Sequence, residues 1–147
     1  MFRLILNRMT IDATTDVAEV LGSRGIQASA HRVAVARYVL ATNEHPSADQ
    51  VLARVRSGFP QISRATVYNT LNLLVEKGLL RELFLAEGKV VFDPKTDSHH
   101  HLIDDITGAI HDIPWESIQV SKMENLDSYE IRDYQVVLRG KPKLDVP

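Results

Sequence analysis

Apolar positions recur at helical spacing through the first half of the chain, and each run is bounded by recognisable start and stop residues. Asp16–Arg24 places Val17, Val20 and Leu21 on one face and meets a stop at Gly25. Ser29 precedes a second run, His31–Ala41, with Val33, Ala36, Val39 and Leu40 apolar. Pro46 and Ser47 open a third: Ser47-Ala48-Asp49-Gln50 is a capping box, Val51, Leu52 and Val55 follow, and Gly58-Phe59-Pro60 ends it. Ser63 caps a fourth helix, Arg64 to Lys77, closed by Gly78. There Val67, Thr70, Leu71 and Leu74 share one arc, and Ala65, Tyr68, Asn69 and Asn72 share the opposite face. The period then changes to two. Leu80–Leu85 and Lys89–Asp93 read as strands around the turn Ala86-Glu87-Gly88.

Short helices followed by a hairpin predict a winged-helix domain over residues 1–93, with the fourth helix as reading head and the hairpin as wing. Beyond Asp93 the pattern differs. Pro94–Ser98 is a polar connector, His99–Ile103 and Ala109–Ile113 are short strands around Asp104–Gly108, and Tyr129–Arg139 reads as a long alternating strand. Trp115–Met123 is expected to form a short helix between them, and the tail Gly140–Pro147 to fray. Residues 94–147 therefore form a small α/β module, expected to dimerise, and the whole is of the α+β class. A domain that small seldom stands without oligomerisation or metal.

Charge sharpens the division. Residues 1–81 carry 10 Lys/Arg against 6 Asp/Glu, whereas residues 82–147 carry 7 against 13, although the 147-residue chain nets only −2. A basic half beside an acidic half points to a nucleic-acid-facing module joined to a different one. Apolar runs such as Phe2–Leu6 are too short to span a bilayer, and the N-terminus offers no small-residue cleavage site. A cytoplasmic protein without membrane contact is expected. There are no cysteines against six histidines, which excludes disulfides, thiolate zinc sites and cysteine nucleophiles. A metal here is held by nitrogen and oxygen.

The exposed face of the fourth helix has the chemistry of a major-groove reader. Asn69 and Asn72 can pair adenine edges, Arg64 can reach guanine or phosphate, and Tyr68 can pack on a thymine methyl. Ser63 and Thr66 sit where hydroxyls donate to phosphate, and Arg24, His31 and Arg32 could grip the backbone. Taken singly, Tyr68 reads more readily as a packed surface aromatic and the asparagines as solvated; the helix order, wing and basic half together make DNA binding the better reading.

His99-His100-His101 is the sharpest local feature. On a strand, residues two apart face the same way, so His99 and His101 present both imidazoles to one side. Asp93 before them and Asp112 after them can add oxygen ligands, a donor set suited to Mn, Fe or Zn. A solvated strand edge is the alternative. His45 lies in the basic half and would tie the two modules together if it joined the cluster.

Together these residues resemble the ferric uptake regulator superfamily of dimeric, metal-responsive repressors, over residues 16–140. Ser63-Arg64-Ala65-Thr66-Val67-Tyr68-Asn69-Thr70-Leu71 is similar to its recognition-helix signature, and His45-Pro46-Ser47-Ala48-Asp49 to the start of its preceding helix. Val91-Phe92-Asp93, the histidine run, Gly108 and Asp112 follow its regulatory-site pattern. The resemblance implies metal ligands at His45, Asp93, His99, His101 and Asp112. Asp rather than Glu at 112 resembles the peroxide-sensing branch. The triple His and the segment from Tyr129 resemble the iron response branch, which implies a haem or second metal site at His99, His100 and His101. Asp104 and Thr107 stand where the first Cys-x-x-Cys pair of the family's structural zinc would fall, so that zinc is not expected.

The reading is a homodimeric regulator of iron or oxidative-stress genes, binding a pseudo-palindromic duplex under control of Fe, Mn, Zn or haem. Peroxide sensing by histidine oxidation is an alternative reading, and a small metal-dependent hydrolase another. A third alternative is a DNA-binding module whose histidines are only structural.

Overall fold

In the computed structural model, residues 11–86 and 88–144 are described. Residues 1–10, 87 and 145–147 lie outside them, so the readings of an uncleaved N-terminus and of a frayed extremity are not addressed there. The chain divides into two compact units, Met1–Asp97 and Ser98–Pro147.

Among the described residues, the first unit holds four helices and a hairpin: α1 (Val17–Ser23), α2 (Ala30–Val39), α3 (Ala48–Arg56), α4 (Arg64–Glu76), β1 (Arg81–Ala86) and β2 (Lys89–Asp93). Local chemistry sets the helix starts. Asp16, Ser29, Ser47 and Ser63 each adopt an extended backbone and accept a hydrogen bond from an amide three residues on. At Ser47 the box is reciprocal, with the Gln50 side chain accepting from the Ser47 amide at 2.8 Å. The ends of α1 and α4 are alike. Gly25 and Gly78 take φ of 74° and 76°, letting the Ile26 and Leu79 amides reach back to the carbonyls of Leu21 and Leu74, both at 2.9 Å.

The apolar stripes meet in one core. Val17 and Leu21 of α1, Val35 and Val39 of α2, Val51 and Leu52 of α3, and Val67, Leu71 and Leu74 of α4 are all buried. Such burial stabilises by about 1.5–3 kcal/mol per large aliphatic side chain. In the hairpin, Leu83 and Leu85 turn inward while Phe84 stays 72% exposed. The strands pair antiparallel from Arg81↔Asp93 to Ala86↔Lys89, with a bulge between Phe84 and Ala86. The Phe92 amide donates to the Pro46 carbonyl at 2.9 Å, fastening β2 to the loop that opens α3.

The second unit is a three-stranded sheet, β3 (His99–Asp104), β4 (Ile110–Pro114) and β5 (Val137–Gly140), in the order β4-β3-β5. β3 runs antiparallel to β4 and parallel to β5, with His101 opposite Asp112 on one side and Val137 on the other. Two expectations are corrected here. The long strand over Tyr129–Arg139 is reduced to Val137–Gly140. Residues 130–136 precede it as coil: Glu130, Arg132 and Asp133 are exposed, and only from Val137 does the chain run in register with β3. Nor does Trp115–Met123 form a helix. Two 3-10 turns, Trp115–Ser117 and Met123–Asn125, bracket irregular chain, and the Pro114 side chain provides no cap. Trp115 is drawn instead onto His100, where stacking outweighs the weak local preference for helix.

Candidate metal and nucleic acid sites

The implied metal ligands fall into two groups, one in each unit. In the first unit, His45 precedes α3 and Asp93 ends β2. His45 takes φ of 52°, uncommon for a side-chain-bearing residue, in a loop fixed by the Pro46–Phe92 bond and the Ser47 cap. Its Nε2 lies 3.2 Å from Oδ2 of Asp93, and both side chains are buried. The other Asp93 oxygen accepts the Lys95 amide at 2.9 Å.

In the second unit, strand alternation aligns His99 and His101, and the β3–β4 register sets Asp112 against them. Oδ1 of Asp112 is 3.4 Å from Nε2 of His99 and 3.6 Å from Nε2 of His101. Two donors held about 2.1 Å from one tetrahedral ion stand about 3.4 Å apart, so these three groups fit a divalent cation. Nδ1 of His101 is 2.9 Å from Oε1 of Gln135. That oxygen can only accept, which places the proton on Nδ1 and leaves the Nε2 lone pair for a metal. Gln135 carries no motif signal in the sequence, because its role depends on a contact 34 residues away.

His100 belongs to neither group. It faces the other side of β3, fully buried, with its ring 4.6 Å from Trp115 at 16° and 6.2 Å from Tyr134. Its Nδ1 accepts the Val136 amide at 2.9 Å. Of the expected haem or second metal set His99, His100 and His101, the first and third share one face, and alternation along the extended strand points the middle imidazole to the other.

Where the zinc-binding cysteine pair is missing, the β3–β4 loop is closed by hydrogen bonds. Asp104 Oδ1 accepts the amides of Ile106 and Thr107 at 2.8 and 3.3 Å, and Thr107 Oγ1 accepts that of Ala109 at 3.2 Å. Above all the Ile106 amide holds the Asp104 carboxyl below its ordinary range.

Of the residues expected at DNA, those of α4 share an exposed surface. Arg64, Tyr68, Asn69 and Asn72 are solvent-facing, while Ser63 and Thr66 bond one another at 2.8 Å in the N-cap. The others have structural duties. Arg24 donates to the Lys77 carbonyl at the end of α4, and Arg32 donates to the Gln27 carbonyl, both at 3.0 Å. His31 rests edge-on against Phe59, 5.8 Å between ring centres. Asp49 was legible only as part of a helix cap. In the structure its Oδ1 accepts from Arg64 Nη1 and, at 3.1 Å, from the Tyr68 hydroxyl. The Arg64 bond first, and then Tyr68, hold the Asp49 carboxyl below its ordinary range.

Residues 23–139 match the ferric uptake regulator family. The peroxide-responsive repressor PerR of Staphylococcus aureus (strain Mu50) is 32% identical over 116 residues, covering 79% of this chain and 76% of the relative. Among solved structures, the ferric uptake regulator of Vibrio cholerae superposes with a TM-score of 0.66 at 22% identity, over 86% of this chain and all of the other. That of Pseudomonas aeruginosa with manganese gives 0.64 at 22% identity, over 88% and 99%. The likeness to these structures is one of fold, and the mixed helix-and-sheet architecture is the α+β class expected for this chain.

Proposed function

Since the chain belongs to the ferric uptake regulator family, we propose that it is a metal-responsive, DNA-binding transcription regulator, a homodimer that turns over no substrate. The observation that carries the metal reading is the convergence of His99 and His101 on one carboxylate, Asp112, with the His101 tautomer set by Gln135. His45, Asp93, His99, His101 and Asp112 would together hold one divalent ion, iron or manganese before zinc. The donors are all nitrogen and oxygen, and only residues 94–98 separate Asp93 from His99. Bound there, the ion supplies positive charge to the two carboxylates.

In this reading residues 1–93 bind DNA and residues 94–147 dimerise and sense metal. The exposed Tyr129 and Ile131, which precede the edge strand β5 in the chain, and Leu138 on it would supply apolar surface for self-association. Two reading helices on a two-fold axis would meet a pseudo-palindromic duplex in successive major grooves, with Arg64, Tyr68, Asn69 and Asn72 at base edges. Ser63, Thr66, His31, Arg24 and Arg32 would lie toward phosphate. His45 joins the two units' responses.

The test is duplex binding by fluorescence anisotropy with and without Mn(II). The wild type should bind a selected duplex in the nanomolar range, with affinity that depends on metal and falls steeply with salt. His45→Ala should keep the fold yet lose the metal dependence. A normal metal response in that variant overturns the shared site.

Peroxide sensing is favoured by two observations: the Staphylococcus relative is a peroxide-responsive repressor, and the ligand at 112 is Asp. Peroxide treatment of the iron-loaded protein should then add one oxygen to His45 or His99, read by peptide mass spectrometry. Unmodified histidines with unchanged DNA binding refute it.

A further inference from the structure

Asp49, Arg64 and Tyr68 form a closed triangle on the surface of the first unit. Arg64 and Tyr68 stand one turn apart on α4, and both donate to the same oxygen of Asp49, at the start of α3. The Arg64 guanidinium also lies over the Tyr68 ring, 6.0 Å from its centre. Tyr68 is 39% exposed, and its two partners more so. The Arg64 and Asp49 side chains are 62% and 66% exposed, and a recess of about 480 Å³ opens beside them, lined by Ser47, Asn72, Glu82 and Lys89 among others. An ion pair that exposed contributes little to folding. Its consequence is conformational, because it removes rotamer freedom from two long side chains on the face of α4 read above as DNA-facing.

We propose that Asp49 is a positioning residue for DNA readout, holding Arg64 and Tyr68 in the conformation in which they meet the duplex. The proposal rests on the DNA-binding reading of α4. Ordering a free arginine and tyrosine at an interface opposes binding, and a pre-formed pair avoids that cost. The bonds also dictate what each side chain offers. The Tyr68 hydroxyl is committed to Asp49, so Tyr68 presents its ring, suited to a thymine methyl. Arg64 has Nη1 engaged and presents its remaining N–H groups, suited to a guanine edge. Because Asp49 is negative, it disfavours indiscriminate phosphate contact at this spot. Its net effect is on sequence preference more than on raw affinity.

The experiment uses the full-length, manganese-loaded protein. Affinity is measured for a duplex selected by the wild type from a random pool and for a mixed-sequence duplex of the same length. Asp49→Asn should weaken the selected duplex about 3–10-fold, leave the mixed duplex unchanged or tighter, and so lower the specificity ratio. Tyr68→Phe keeps the ring and loses only the bond to Asp49. It should act in the same direction, and the double variant should be no worse than Asp49→Asn alone. Asp49→Glu, which restores the carboxylate, should recover part of the preference. Equal tightening of both duplexes would mean simple charge repulsion and overturns the proposal, as does an unchanged ratio. Proportional loss on both duplexes, with a reduced folded fraction by circular dichroism, would make Asp49 merely structural and also overturns it. A wild type that selects no sequence defeats the DNA-binding reading itself, a result distinct from all of these.

Discussion

His99 and His101 meet edge to face, 4.6 Å between ring centres at 64°, and both direct Nε2 toward the same oxygen of Asp112. Two imidazole nitrogens and a carboxylate oxygen at such separations are spaced as donors to one divalent ion. In the metal reading proposed above, these three groups are among the ligands of the ion. Asp112→Asn keeps the shape and removes the charge. We expect divalent-metal affinity, measured by titration calorimetry and elemental analysis, to fall at least about 10–100-fold, with little change in the fold. Undiminished uptake would place the metal elsewhere.

His100 allows the opposite test. It is buried between Trp115 and Tyr134 and accepts the Val136 amide just ahead of β5. His100→Ala opens a cavity and strands that amide, at a cost of about 2–4 kcal/mol. Thermal unfolding should shift down accordingly, while metal affinity changes less than that of Asp112→Asn. A variant of native stability that fails to take up metal would make His100 a ligand.

Tyr68 is half-exposed on α4, with its hydroxyl on Asp49. Truncation to alanine should weaken binding to the selected duplex by about 1–3 kcal/mol and leave metal uptake intact. Full sequence preference in Tyr68→Ala refutes its contact with bases.

Asp104 closes the turn between β3 and β4, and its carboxyl sits below the ordinary value of 3.8 through bonds from the Ile106 and Thr107 amides. A depressed native value means that the ionised form is the stabilising one. Its contribution is complete above about pH 4 and fades as pH falls through the native value. Asp104→Ala should therefore be less stable than the wild type at neutral pH, with the gap narrowing below about pH 4. A gap independent of pH would assign the loss to the turn backbone and not to the charge. Chelators should leave the turn intact, since no thiolate zinc can form in a chain with no cysteine.

Much of this protein is written locally. The caps at Ser29, Ser47 and Ser63, the glycine stops at Gly25 and Gly78, the hairpin and the polar face of α4 each depend on residues within one or two turns of one another. Short-range sterics and hydrogen bonding determine them, so the sequence states them outright. The candidate ligands His45, Asp93, His99, His101 and Asp112 are legible as residue types and through their resemblance to the family pattern, and alternation along β3 is legible locally. What the sequence could not determine depends on partners far along the chain. Residues 130–136 alternate like a strand but lie outside the ladder, because pairing is a property of two segments. His100 left the histidine run for an aromatic stack supplied by Trp115 and Tyr134. Gln135 came within hydrogen-bond reach of His101 Nδ1, and Asp49, a cap residue by pattern, came to accept from Arg64 and Tyr68. Each of these is decided by which side chains the packed chain brings within a few ångströms, and only tertiary structure makes that choice.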